Sequence, residues 1–281
     1  MSDSPRSVPE RRPEELEGWV TALAAKARTA DGAPPFSDQA LVDFRLGKRD
    51  LVAIEHDAVA LVSVPNALEG GEAEFVVDPD ARGRGVGTRM LEELLARGVH
   101  VFWAHGDHPA ARALAATHGL RAERELLHLV GEVSIRKDAA PGDIETFTPN
   151  RDEDEWVALN ARTFATHPEQ GKVTKQDLEQ LESEPWFSAD DFLVLRRDGA
   201  MIGYCWLKIE DGRGEFYVVG VDPHHQGEHL GATLFDAGLA RLAARGIRDA
   251  HLYVEADNAP ALALYRSRGF TRDSIDIQYS G

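Results

Sequence analysis

Apolar positions change period along this chain, and the changes mark its elements. Over Glu14–Thr29 and Asp152–Thr163 they recur every third or fourth residue, the spacing of a helix with one buried face. "TKQDLEQLE" continues the second pattern. Short β-branched and aromatic runs follow each helix. They read "DLVAIE", "AVALVSVP" and "AEFVVDP" in one place, and "DFLVLRRDG", "MIGYCWLKIE" and "GEFYVVGVDP" in the other. Such runs predict strands, with "RDG" a hairpin turn. A helix, a strand ("VHVFWAH"; "AHLYVEA"), a helix ("PAARALAATHG"; "APALALYRSRG") and a closing strand ("LLHLVGEVSI"; "SIDIQY") complete each set.

One unit is therefore written twice. Asp78 of "VVDP" aligns with Asp222 of "GVDP", and Gly119 of "HGL" with Gly269 of "RGF". The second copy is a few residues longer between these anchors, which is one loop insertion. Strands interspersed with helices predict an α/β or α+β fold with a mixed sheet. The charged, Pro- and Gly-containing stretch "RKDAAPGDIE" reads as a linker, giving domains 1–137 and 138–281.

Composition narrows the class. With 281 residues, 43% hydrophobic and 28% charged, the chain can bury two ordinary cores. A net charge of −17 argues against nucleic acid and anionic membranes as partners. The start has no apolar signal segment, and no stretch approaches the length of a membrane span. The single cysteine, Cys205, fits a reducing cytoplasm and reads as a small buried strand residue. The expectation is a cytoplasmic monomer acting on a small molecule.

The chemistry sits after the Asp-Pro pairs. "RGRGVG" (Arg82–Gly87) joins a strand end to a helix start. Glycines let the backbone approach a ligand, and the helix N-terminus adds partial positive charge, which together can cradle a diphosphate. The other reading is a tight turn with its arginines in solvent. In the second copy the loop is Gln226-Gly227-Glu228-His229-Leu230-Gly231. His229 stands where the first copy has Gly85, and Glu228 where it has Arg84. Glu228 is expected to weaken anion binding there. The loop also spells His225-x-x-Glu228-His229, a zinc-protease pattern that needs one helix through all three residues. Gly227 interrupts it, so no metal is expected.

"RGRGVG" after "VVDP", with "NAPALALYRSRGF" near the end, resembles the GCN5-related N-acetyltransferase (GNAT) family. The combination of "HPEQG", "YVVGVDP" and "LYVEADN" is similar to a tandem branch of that family. The resemblance implies two acyl-CoA N-acyltransferase folds, with acetyl-CoA as co-substrate. In the first half it places acyl-CoA contacts on Phe75, Val76, Val77, Gly83, Arg84, Gly85, Val86, Gly87 and Thr88. In the second it places them on Val219, Gly220, Val221, Gln226, Gly227, Glu228, His229, Leu230, Gly231 and Ala232, and on Asn258, Ala259, Pro260, Ala261, Leu262 and Ala263. It implies as acceptor the cysteinyl amine of a pseudodisaccharide thiol, cysteinyl-glucosaminyl-inositol. Contacts for that acceptor would fall on Asp38, Glu169, Lys208, Glu215 and Tyr253.

Each of these has a plainer reading. Asp38 reads equally as a helix N-terminal acid, Lys208 as a solvated strand-end charge, and Tyr253 as a core aromatic. Acyl transfer to an amine needs a proton acceptor, oxyanion stabilisation and a donor for the leaving thiolate. Glu215 is the candidate base, on an apolar strand expected to raise its pKa, and Tyr265 the candidate acid. His167 either shares the base role or orders its loop. The first half has Gly71 and Ala115 at the positions of Glu215 and Tyr265. It is therefore expected to bind acetyl-CoA without turning it over. Two other readings remain: a tandem acetyltransferase for another amine, such as a protein N-terminus or an antibiotic, and a non-catalytic acyl-CoA sensor.

Overall fold

The computed structural model describes residues 13–63, 71–135, 144–167 and 170–281. Most of the expected linker lies outside them. In chain order the elements are α1 (Pro13–Asp31), α2 (Asp38–Arg45), β1 (Arg49–Ile54), β2 (Ala58–Ser63), β3 (Gly71–Val77), α3 (Val86–Ala96), β4 (Val99–His105), α4 (Pro109–Thr117) and β5 (Arg121–Glu132). Then come β6 (Ile144–Thr146), α5 (Glu153–Thr163), α6 (Lys175–Glu182), β7 (Phe192–Arg197), β8 (Ala200–Glu210), β9 (Arg213–Val221), α7 (Leu230–Ala244), β10 (Asp249–Glu255), α8 (Ala259–Ser267) and β11 (Thr271–Ser280). The α/β expectation with mixed sheets holds. Two details differ: α6 is a separate helix with its own Thr174–Asp177 capping box, and α2 and β6 are additional elements.

The chain forms two compact units. The first holds the described residues up to Leu127, with Glu255–Asp257 and Asp273–Gly281; the second holds His128–Val254 with Asn258–Arg272. In the first unit the strands run β1-β2-β3-β4-β11. Strand β2 is buried on both faces, and its alternate residues serve two cores. Val59 and Leu61 pack with Val20, Leu23 and Ala27 of α1. Ala58, Ala60 and Val62 pack with Met90, Leu91 and Leu94 of α3.

The second unit runs β10-β9-β8-β7-β6, with the end of β5 beside β10. One face buries Trp156, Leu159, Leu178, Phe192, Tyr204 and Trp206. The other stacks Phe216 on Phe235, ring centroids 4.0 Å apart, with Phe270 edge-on. Each fully buried large side chain contributes roughly 1.5–3 kcal/mol. Cys205 is wholly buried, and burial pushes its thiol pKa far up, as a small core residue requires.

The closing strands do not each close their own half. The final strand, β11, pairs antiparallel with β4 of the first unit, Asp276 opposite His105 and Ser280 opposite Val101. The compact units are therefore a different division of the chain from the sequence halves. Ladder hydrogen bonds are backbone groups and do not encode a partner. A side-chain cluster does. His105 Nδ1 lies 3.1 Å from Asp276 and its Nε2 3.1 Å from Glu74. Burial alone would lower the His105 pKa, but the two carboxylates outweigh it and raise it to about 10.

Candidate active site

In both units the Asp-Pro pair begins the same local structure. Asp222 is nearly buried and caps a 3-10 turn, Pro223–His225, by accepting from the His224 amide at 2.9 Å. Burial would raise its pKa; the His224 amide and Arg162, 2.9 Å away, outweigh that and hold it at about 2. Asp78 does the same for Pro79–Ala81, and Lys26 takes the place of Arg162.

The loops that follow share one backbone path. Gly83 and Gly227 have φ of 72° and 84°. Gly85 caps α3 at φ 75°, ψ 9°, and His229 caps α7 at φ 60°, ψ 14°. Neither cap offers a side-chain hydrogen bond; Ala232 N donates to His229 O at 3.1 Å, and the first two amides of each helix have no intrahelical acceptor. A Cβ at Gly83, Gly85 or Gly227 would meet open space. These glycines are there for left-handed backbone, and the loop amides stay uncovered for an anion. The expected wear at His229 is therefore not in the backbone. His tolerates the left-handed region better than most residues.

Nor is Glu228 a bare negative charge. Arg197 Nη1, at the end of β7, bonds Glu228 Oε2 at 2.7 Å, and His225 Nδ1 lies 3.1 Å from Oε1. The Arg197 hydrogen bond, then His225, lowers the Glu228 pKa. His225 ends the 3-10 turn and His229 precedes α7, so the zinc-protease spacing does not lie on one helix. In the first loop Arg82 is bound bidentately by Asp31 at 2.6 and 2.7 Å and is only part-exposed, while Arg84 is exposed.

The strands below each loop part to form a fork. In the second unit β10 pairs with β9 at Ala250↔Gly214 and His251↔Glu215. Beyond Glu215, β9 continues on β8 alone, up to Gly203↔Val221. The β10-facing edge of Val219, Gly220 and Val221 is left open. A bulge between Trp206 and Leu207 sets Tyr217 out of register just above Glu215. Gly220 is needed because a Cβ there would lie 2.6 Å from the Tyr204 ring, whose hydroxyl donates to Asn160 at 2.8 Å.

In the first unit the ladder runs further, from Gly71↔Val99 up to Glu74↔Trp103. The segment that is open above Glu215 is zipped here. What remains is a cavity of about 480 Å³. It is lined by Phe75, Val76, Val77, Gly83, Gly85, Val86, Gly87, Thr88 and Ala115, with Trp103 and His105 also in its wall.

The other candidate residues fall as follows. Glu215 is half-buried, with Lys208 opposite it on β8 and His251 on β10. Lys208 lies over the Trp186 ring at 5.3 Å, and its Nζ is 3.2 Å from Glu210. Tyr253 is 49% exposed, not a core aromatic, and stacks on His128 at 4.7 Å. His251, 3.2 Å from His128, has its pKa lowered to about 4 by burial and then by His128, so it is neutral at physiological pH. Neither His251 nor Trp186 was evident from spacing; strand register brings His251 beside Glu215, and packing brings Trp186 against Lys208.

On α8, Asn258 caps the helix by accepting from Ala261 N at 3.2 Å, and Ala259 and Pro260 open its first turn. Leu262 is buried in the core, while Ala263 is exposed. Tyr265 is buried, 5.0 Å from the Phe235 ring, and burial raises its phenol pKa. Leu230, Gly231 and Ala232 form the first turn of α7. His167 accepts from Gln170 N at 3.0 Å. Asp38 is the first residue of α2, in the first unit. Glu169 lies outside the described residues.

A model of the acetyltransferase (GNAT) family matches residues 29–120 and 155–270, and the chain belongs to that family. The two matches make it a tandem GNAT protein. It is 43% identical to a Clavibacter sepedonicus protein named mycothiol acetyltransferase, over 99% of this chain and 96% of that protein. A mycothiol acetyltransferase of Clavibacter michiganensis subsp. michiganensis is 45% identical over 96% of this chain and 92% of its own. The solved GCN5-related N-acetyltransferase of Sphaerobacter thermophilus has the same fold: TM-score 0.74 and 19% identity, covering 98% and 96% of the two chains. Among the described residues no helix is long and apolar enough to cross a membrane.

Proposed function

We propose that this chain transfers the acetyl group of acetyl-CoA to the cysteinyl amine of cysteinyl-glucosaminyl-inositol, a small-molecule thiol, completing mycothiol. The mycothiol acetyltransferases it resembles over nearly its full length support the reaction. The observation that carries the mechanism is the position of Glu215, at the fork where β9 and β10 part, below an anion-accepting loop on the same strand.

Acetyl-CoA fits both forks in kind: uncovered loop amides suit its diphosphate, and an open strand edge suits its amide-bearing arm. In the second unit Val219–Val221, Gln226–Ala232 and the start of α8 would hold it. Glu215 takes the proton of the attacking amine, directly or through water. Lys208, Tyr253 and Glu169 are the proposed acceptor contacts. Neutral His251 adds no positive charge against the ammonium.

Tyr265 keeps its proton across the neutral range. A thiol, with pKa about 8.5, holds its proton less tightly than this phenol. Tyr265 therefore acts by donating a hydrogen bond to the leaving sulfur, and full proton transfer is left to solvent.

The first half, 1–137, would supply the acetyl-CoA contacts of the first unit's cavity without turnover, and catalysis would belong to the half 138–281. Its ladder is zipped through Glu74, and Gly71 and Ala115 replace the proton-handling pair. A comparison of kcat/KM tests the function. The pseudodisaccharide thiol should exceed N-terminal peptides and aminoglycosides by at least about 10²-fold, a preference of about 2.7 kcal/mol. Equal rates on all three would support a general amine acetyltransferase; acetyl-CoA binding with no turnover on any would support a sensor.

A further inference from the structure

The two loops share a backbone but not a charge: the first carries Arg84 where the second carries Glu228. The hairpins beside them differ in a matching way. In the first unit Ile54 pairs with Ala58, and the chain turns there. Ala58 also pairs with Val77, at the base of the first loop. The equivalent residue on β8 is Gly203, which pairs with Val221 and with Leu195. The second hairpin does not turn at Leu195. It runs on through Arg196 and Arg197, and a bulge at Leu195/Arg196 re-aims its tip. That extension ends with Arg197 Nη1 2.7 Å from Glu228 and 3.3 Å from His225, against the loop.

We propose that Arg197 is the phosphate-binding cation of the second loop, supplied by the extended hairpin in place of the arginine the loop has lost, with Glu228 as its positioning residue. The ligand group is a phosphate of acyl-CoA, and the inference rests on reading the second unit as the acetyl-CoA-dependent one. Glu228 satisfies one side of the guanidinium and leaves the remaining N–H donors of a planar fork for phosphate oxygens. Each loop then has a cation beside it with N–H donors to spare: Arg84 in the first, Arg197 in the second.

Steady-state kinetics with the full-length protein test this. Arg197→Ala should raise KM for acetyl-CoA about tenfold with kcat nearly unchanged, and the rise should shrink as salt increases. Arg197→Lys should restore part of the loss. Glu228→Gln should raise KM a few-fold, because Arg197 loses its anchor. Repeating the Arg197→Ala comparison with 3′-dephospho-acetyl-CoA assigns the phosphate: a persisting effect places Arg197 on the diphosphate, a vanishing one on the ribose 3′-phosphate. An unchanged KM in Arg197→Ala would overturn the proposal, and an unchanged or lower KM in Glu228→Gln would overturn the role of Glu228. Calorimetric titration of wild type and Arg197→Ala with CoA separates the two levels. A protein that acetylates nothing but still loses affinity with Arg197→Ala refutes the function and keeps the site.

Discussion

His229 and Gly85 occupy the same left-handed position, at φ 60°, ψ 14° and φ 75°, ψ 9°, before the helices that follow the two loops. A side chain there costs backbone energy without closing the loop. His229→Gly should therefore stabilise the protein by about 1 kcal/mol. Thermal denaturation should show the midpoint rise by about 2–4 °C. KM for acetyl-CoA should change by less than about twofold, since the amides are already placed. A several-fold fall in KM would mean that the His229 ring obstructs the phosphates.

Much of this was legible in the chain. Helical period marked α1 and α5, β-branched runs marked the main strands, and the paired Asp-Pro loops marked both forks. The partner of the last strand was not legible: "SIDIQY" alternates correctly for any neighbour, and contacts formed in three dimensions, Asp276 meeting His105 among them, select β4. The state of Glu228 was equally hidden, because its cation comes from a hairpin distant in sequence. His251 and Trp186 reach the acceptor side through register and packing, which no local spacing encodes.

The division of labour predicts that a change in the first loop removes a binding event and leaves turnover. Gly85→Glu puts a side chain and a negative charge into the first loop, where a Cβ meets open space, so the fold should survive. Calorimetric titration should lose one of two CoA-binding events, while kcat stays within about twofold of wild type. Complete loss of activity in a folded variant would contradict the assignment of catalysis to the second unit.

Glu215 and Tyr265 should separate kinetically. Glu215→Gln should lower kcat by about 10²-fold or more, the scale of general-base catalysis. Tyr265→Phe should lower it by about tenfold, one hydrogen bond to a charged sulfur, with KM for the acceptor unchanged. Pre-steady-state measurements of the acetylation step check both. Wild-type rates for that step would remove these residues from the mechanism.

Glu182, at the end of α6, provides a pH test of stability. Burial, then Glu153 and Glu179, raises its pKa to about 7, and its Oε1 has no hydrogen-bond partner among the described residues. The folded state holds this proton more tightly than the unfolded chain does. The group's contribution thus becomes unfavourable as pH rises from the ordinary carboxylate range through about 7. Glu182→Gln should raise the melting temperature at pH 8 by about 2–4 °C and leave it unchanged near pH 4.5. An equal gain at both pH values would show that ionisation is not the cause.

The proposed reaction has one acetylated product. Purified protein incubated with acetyl-CoA and cysteinyl-glucosaminyl-inositol should yield one new species, heavier by a single acetyl group. Mass fragmentation should place that group on the cysteinyl nitrogen, with the thiol still free to react with a maleimide. Recovery of unmodified acceptor from a folded, CoA-binding protein would contradict the account, as would an acetyl group placed enzymatically on any other atom.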